Sequence, residues 1–171
     1  STDGGPFSTS HRTHYILDPE YLAAWVEQIV KEKGPTHINI DSVGEPTAYQ
    51  KLEQLIVLLK KIDGVKFISM QTNGTLLNKE KIKALEKAGL NRIHLSVHSF
   101  SPIMSKELFG SQQYNIMAIE ELIAEIKKTT IEVMLTPVWL HGLNDQDLKD
   151  IIQRAKTLGC PVAIQKYEEY K

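Results

Sequence analysis

Polar residues able to hold a ligand stand at the ends of successive apolar runs in this chain. Ser42-Val43-Gly44-Glu45-Pro46-Thr47 follows the first run, Gln71-Thr72-Asn73-Gly74 closes the second, and Ser96-Val97-His98-Ser99 ends the third. Pro137-Val138-Trp139-Leu140-His141-Gly142-Leu143-Asn144-Asp145 follows a fourth, and Gln165, Tyr167 and Glu168 lie in the fifth. Gly44 lets backbone approach a ligand closely, and Glu45 can accept hydrogen bonds from an ammonium group. The same Gly-Glu-Pro also serves as an ordinary turn before a helix. Asn73-Gly74, taken alone, is a tight-turn signal. Ser96 and His98 are two residues apart on a predicted strand and so share a face, where a hydroxyl and an imidazole can grip a ribose. A lone histidine there can equally be structural.

The six histidines pose a separate question, that of a zinc or iron site. His11 and His14 fall in the N-terminal loop, and His37 and His94 fall early in strands. Only His98 and His141 fall near strand ends, and no third ligand of the usual histidine or carboxylate pattern accompanies them. No Walker loop, GxGxxG fingerprint or GxSxG elbow is present, which weighs against nucleotide hydrolases, dehydrogenases and serine hydrolases.

The elements that must position these residues alternate between two periods. Asp18-Pro19-Glu20 opens a helix, with Tyr21, Leu22, Trp25, Val26 and Ile29 at helical spacing up to Gly34-Pro35. A strand over His37 to Asp41, a helix from about Ala48 to Ile62 and a strand over Val65 to Gln71 come next. Asn78 caps a helix that stops at Gly89, before the strand Arg92 to Val97. The helix Tyr114 to Lys128, the strand Ile131 to Val138, a helix beginning at Asn144 or Asp145 and the strand Val162 to Lys166 complete five helix-then-strand units. Such alternation predicts an α/β fold whose parallel sheet has right-handed crossovers and helices packed outside it. Ligand groups in such sheets gather beyond the C-terminal strand ends, where the polar segments lie.

At 171 residues, with no linker or low-complexity stretch, residues 1–171 read as a single domain able to bury a core. Lys and Arg number 20 against 21 Asp and Glu, so a main role in neutralising nucleic-acid phosphates is not indicated. No apolar run approaches the ~20 residues of a membrane span and no signal segment appears, which predicts a cytoplasmic protein. The single cysteine, Cys160, excludes an internal disulfide and any multi-cysteine site within this chain. It reads as a small buried residue at a helix end. Ser1 to Ser10, rich in Ser, Thr, Gly and Pro, reads as loop.

Gly44-Glu45-Pro46, Gln71-Thr72-Asn73-Gly74, Lys87-Ala88-Gly89-Leu90 and Ile93-His94-Leu95-Ser96-Val97-His98, followed by Gly142-Leu143-Asn144-Asp145, resemble the radical S-adenosylmethionine (radical SAM) superfamily in order and spacing. The resemblance covers nearly the whole chain. More narrowly, Pro137-Val138-Trp139 and Ile164-Gln165-Lys166-Tyr167-Glu168 resemble an archaeal group of these proteins.

The resemblance implies a partial (β/α)6 TIM-like barrel missing its first strand, with a curved parallel sheet and helices outside. Residues 1–17 would be the loop after a missing CxxxCxxC motif, whose three cysteines hold a 4Fe-4S cluster in the full-length parent; Cys160 is no substitute. That parent would be an enzyme, supplied by an electron donor, that cleaves S-adenosylmethionine reductively to a 5'-deoxyadenosyl radical acting on an unknown substrate. The cofactor performs the radical chemistry, so no catalytic triad need be visible. This chain alone would be inactive and hold no metal. By the same resemblance Gly44 and Glu45 meet the methionine amino group, Asn73, Ser96 and His98 face the carboxylate or ribose, and Pro46 and Gln71 also belong to the cofactor site, Gln71 being a polar candidate near the mouth as well. His98 departs from the family, which more often has Asp or Asn there. Val138 and Gln165 would lie near adenine, and Arg12, Asp41 and His141 near the substrate. Two other readings stay open: a degenerate, non-catalytic ligand-binding barrel, and a phosphate-handling barrel isomerase or aldolase, for which no Gly-rich cradle is evident.

Overall fold

The computed structural model describes residues 16–42 and 44–167. Helix α1, Pro19–Lys33, starts where the Asp18 carboxylate accepts the Glu20 amide and stops at Gly34. It leads into strand β1, Thr36–Ile40. A 3-10 turn at Pro46–Ala48, capped by Glu45, separates β1 from α2, Leu52–Lys61, so this helix begins four residues later than its apolar pattern suggests. Strand β2, Val65–Thr72, is followed by α3, Lys79–Ala88, which the Asn78 side chain caps and a left-handed Gly89 ends. Then come β3, Arg92–Leu95, and two helices, α4, Pro102–Phe109, and α5, Ile116–Ile126. Strands β4, Glu132–Leu135, and β5, Val138–Trp139, precede α6, Asp145–Leu158, and β6, Gln165–Lys166.

The strands β1-β2-β3-β4 pair in sequential order, all parallel, and β5 pairs parallel with β6. One expected strand, Ile131 to Val138, is thus two. Pro137 has no N–H to donate, and the rung it would supply is missing. The ladder nevertheless continues past it: Leu135 N donates to Pro161 O, Ala163 N to Leu135 O, Gln165 N to Pro137 O and Tyr167 N to Trp139 O. The last segment therefore lies beside the fourth strand, where five sequential units place it.

Helix α4 is absent from the apolar pattern because it buries little: Ser105 is its one buried residue and Ile103 is 72% exposed. Its boundaries were nonetheless written in the sequence. Ser101 caps it ahead of Pro102, and a left-handed Gly110 ends it.

Alternate residues of each strand go to opposite faces. Ile68 and Met70 of β2, Ile93 and Leu95 of β3, and Leu135 of β4 are wholly buried with Ile56 of α2, Leu85 of α3 and Ile123 of α5 in one core. Gly74, just past β2, belongs to this packing. Its φ is +78°, and a Cβ there would lie 2.8 Å from Leu95 Cδ1 and 3.1 Å from Ile119 Cδ1. Gly74→Ala combines left-handed strain with overpacking and is expected to lower stability by about 2–4 kcal/mol, read from denaturant or thermal unfolding.

Candidate functional site

Parallel pairing brings the C-terminal ends of β1 to β4 to one edge, and it extends one residue beyond two of them: Ser96 N donates to Thr72 O, and Thr136 N to Leu95 O. The Glu45 carboxylate joins the loop after β1 to the end of β2. Its Oε1 accepts the Thr47 amide at 3.0 Å, the Thr47 hydroxyl at 2.6 Å and the Thr72 hydroxyl at 2.5 Å, while Oε2 accepts the Asn73 amide at 2.9 Å. A carboxylate offers about four lone-pair sites. Oε1 is therefore saturated, and the capacity left for an incoming N–H lies on Oε2. The Asn73 carboxamide oxygen is used locally, accepting the Thr75 amide and hydroxyl at 2.9 and 2.7 Å. Pro46 is buried as the first residue of the 3-10 turn, and a Cβ on exposed Gly44 would meet nothing within 4 Å.

Gln71 joins three strands. Its Nε2 donates to Ser96 Oγ and to Thr136 Oγ1, each at 2.8 Å. Both amide hydrogens are thereby used, whereas the Ser96 and Thr136 hydroxyl hydrogens remain to be donated. Thr136 was not among the residues singled out from sequence. The signal for it was there, since the period of two puts it on the same face as Met134 and Val138.

His98 lies past the end of β3 and is 6% exposed. Its Nδ1 accepts the Val138 amide at 3.1 Å, and its ring stacks on Phe109, which stacks in turn on Tyr114. With Nδ1 accepting, the neutral ring carries its proton on Nε2. Burial pushes the His98 pKa down to about 4, so the ring is neutral near pH 7. The Asn144 amide donates to Val138 O at 2.8 Å, and both backbone groups of Val138 are thus occupied. What Val138 offers a ligand is its side chain, directly across the ladder from Gln165.

The remaining candidates are dispersed. Asp41 is exposed, and its Oδ1 accepts the Ser42 amide at 2.8 Å. His141 is exposed on the loop after β5, with Nδ1 3.7 Å from Asp145. Arg12 lies outside the described residues. Beside β1 a cleft of about 730 Å³ is lined by Leu22, Asp41, Gly44, Glu45 and Tyr49, among others.

Among the described residues no three His, Cys, Asp or Glu side chains group as metal ligands, and Cys160 is buried with its thiol pKa pushed up by burial. A thiolate-held cluster does not fit the residues of this chain. The edge offers a carboxylate acceptor of the kind that suits an ammonium and hydroxyl donors of the kind that suit a carboxylate. No helix among the described residues is long and apolar enough to cross a membrane.

A family model described as the Radical SAM superfamily matches residues 4–155. An uncharacterized protein of Methanocaldococcus jannaschii is 38% identical over 162 residues, covering 92% of this chain and 37% of that protein. A GTP 3',8-cyclase of Aquifex aeolicus is 33% identical over 152 residues, covering 89% and 46%. A 7,8-dihydro-6-hydroxymethylpterin dimethyltransferase of M. jannaschii is 29% identical over 154 residues, covering 87% and 30%. The chain thus spans less than half the length of each. In structure it resembles Streptococcus suis SuiB bound to S-adenosylmethionine, with a TM-score of 0.75 and 16% identity over 91% of this chain and 35% of that one. That likeness identifies the parallel sheet and its helices as part of a TIM-like barrel.

His98 makes stability depend on pH. Its folded-state pKa lies below the ordinary 6.5, so the unfolded chain binds the extra proton between about pH 6.5 and 4. Stability from this group is complete above pH 6.5 and is lost as pH falls through that window, by up to about 3 kcal/mol. Melting curves across the window should show this slope, and His98→Gln, which keeps an acceptor for Val138 N but does not titrate, should flatten it.

Proposed function

The chain belongs to the radical SAM superfamily, and on that premise we propose that its C-terminal sheet edge is the S-adenosylmethionine site of a radical SAM enzyme. The observation that carries the proposal is the convergence of Glu45, Asn73 and Ser96. They arise from the ends of three neighbouring parallel strands, and hydrogen bonds tie Glu45 to Asn73 and Ser96 to Gln71. Glu45 Oε2 accepts from the methionine ammonium, and Gly44, with open space above it, admits the ligand against the backbone. Pro46 starts the turn that holds Glu45 in place. Ser96 donates its hydroxyl hydrogen to the carboxylate or ribose, with Asn73 beside it.

Gln71 acts as a positioning residue, since both its amide hydrogens hold hydroxyls. His98 is another, because its ring stacks on Phe109 and its Nδ1 accepts the Val138 amide. The side chains of Val138 and Gln165 form the adenine contact. Asp41 and His141 stand on loops at the mouth, on the substrate side, and Arg12 is assigned there with them.

Superfamily members pair S-adenosylmethionine with a 4Fe-4S cluster whose reductive cleavage of the cofactor starts radical chemistry. In this proposal the thiolates for that cluster would come from a CxxxCxxC segment outside this chain, and an electron donor would supply its reducing equivalents. The residues described here bind and orient the cofactor and exclude water.

Two measurements test the reading. In a protein containing the three-cysteine segment as well as this chain, Ser96→Ala and Asn73→Ala should weaken S-adenosylmethionine binding about tenfold in calorimetry. Each should lower the melting temperature less than Glu45→Ala does, since Ser96 accepts one internal donor, Gln71 Nε2, and Asn73 two, the Thr75 amide and hydroxyl. Glu45→Ala should weaken it by one to two decades, for a loss of roughly 1.5–3 kcal/mol, and should also lower the melting temperature because four internal donors lose their acceptor. Unchanged binding in all three variants rejects the site. The chain alone should stay colourless after anaerobic reconstitution with iron and sulfide, and stoichiometric iron retained through chromatography would overturn the assignment of the thiolates.

A further inference from the structure

The face of the sheet turned away from the apolar core is polar from β1 to β4. Pairing places Asn39, Ser69, Arg92 and Glu132 in one row, and Gln71, His94 and Met134 in the next, nearer the proposed cofactor edge. Most polar groups in these rows are already committed. The Arg92 guanidinium bonds Glu132 through Nε and Nη2 and lies 4.9 Å over the Phe67 ring. Ser69 Oγ donates to Asn39 Oδ1 at 2.8 Å, which leaves the Asn39 amide hydrogens available. Gln71 uses both its amide hydrogens on Ser96 and Thr136, which leaves its Oε1 as an acceptor.

His94 is the exception. It is half-buried in the middle of this face, and among the described residues the neighbours acting on its ring are Arg92 and Asp41, through charge and not through a hydrogen bond. Burial first, and Arg92 second, hold its pKa below the ordinary 6.5 against the opposing pull of Asp41. The ring at pH 7 is therefore neutral and offers one N–H donor and one nitrogen acceptor.

We propose that these rows form a substrate-recognition wall centred on His94, built for the adjacent N–H and C=O of a 2-amino-4-oxopyrimidine ring. The inference rests on the cofactor reading above, because it places the substrate next to the S-adenosylmethionine edge. The wall presents donors at Asn39 and His94 and acceptors at His94 and Gln71, all of them neutral. Its one guanidinium, Arg92, is already paired with Glu132, so a phosphate or carboxylate finds no free counter-charge in these two rows. A neutral planar ring with alternating donors and acceptors is the complementary ligand, since polar groups removed from water need partners of opposite hydrogen-bonding sense. Guanine and pterin rings both carry the 2-amino-4-oxopyrimidine pattern, and the names of two relatives at 33% and 29% identity specify GTP and a dihydropterin.

The test is calorimetric titration of the protein that contains the three-cysteine segment as well as this chain with guanosine, with 7,8-dihydro-6-hydroxymethylpterin and, as a contrast, with an uncharged capped tripeptide, while S-adenosylmethionine affinity is measured in parallel. At least one heterocycle should bind more tightly than the peptide, and which of the two it is distinguishes a purine from a pterin substrate. His94→Ala should weaken that binding about tenfold, and His94→Gln, which retains a donor and an acceptor, should recover part of it, with melting temperature and cofactor affinity unchanged. In the unmodified protein the His94 ring-nitrogen NMR signals should shift on adding the heterocycle. Failure of both heterocycles to bind, tighter binding of the peptide, or equal affinity in His94→Ala overturns the wall. Normal cofactor binding alongside such a failure leaves the cofactor reading standing, whereas heterocycle binding without S-adenosylmethionine binding overturns only the latter.

Discussion

Ile68, Met70, Ile93, Leu95 and Leu135 are sealed from solvent beneath the helices, and the position of the polar groups on the opposite face depends on that burial. A one-residue slip of any strand would send these side chains to the open face and bring Ser69, Gln71, His94 or Ser96 into the core. Each buried apolar side chain contributes on the order of 1.5–3 kcal/mol, and each unpartnered polar group would cost a comparable amount. The register is therefore strongly specified. The polar edge keeps its geometry because the core holds every strand in phase, with Gly74 admitting Leu95, Ile119 and Leu122 where any side chain would collide.

Glu45 shows how a binding residue can also be part of the scaffold. Its carboxylate gathers donors from the turn that follows it and from the end of the next strand. One oxygen is saturated internally, so the carboxylate is held rigidly while the other oxygen keeps capacity for a ligand. Orientation of this kind reduces the ordering cost of binding, since the side chain loses its freedom on folding and not on ligand capture. Gln71 does the same for two hydroxyls at once, and His98 for the backbone of Val138. The site is thus a set of short hydrogen-bonded bridges between adjacent strand ends, each passing on the precision of the ladder beneath it.

Much of the fold was legible from residue patterns. Apolar periods located most helices, and Asp18, Asn78 and Gly89 marked boundaries that the caps reproduce. Helix α4 escaped because its apolar pattern is weak, although Ser101, Pro102 and Gly110 announced it. The break at Pro137 followed from a missing amide hydrogen visible in the sequence, but whether it ended the pairing depended on Pro161 to Tyr167 continuing past it.

Residue types and their order alone determined that this is an alternating α/β chain with polar segments at the strand ends, that it has a single thiol, and that it resembles the radical SAM superfamily. These are local or compositional properties, which need no knowledge of what touches what. The tertiary structure alone decided which polar groups are already used: Asn73 Oδ1 on Thr75, both Gln71 amide hydrogens on Ser96 and Thr136, and His98 Nδ1 on Val138. It also left His94 without a hydrogen-bonding partner among the described residues. The physical reason is that hydrogen-bonding capacity is finite and is consumed by partners tens of residues away in the chain, so what a side chain still has to offer a ligand emerges only once the strands are side by side.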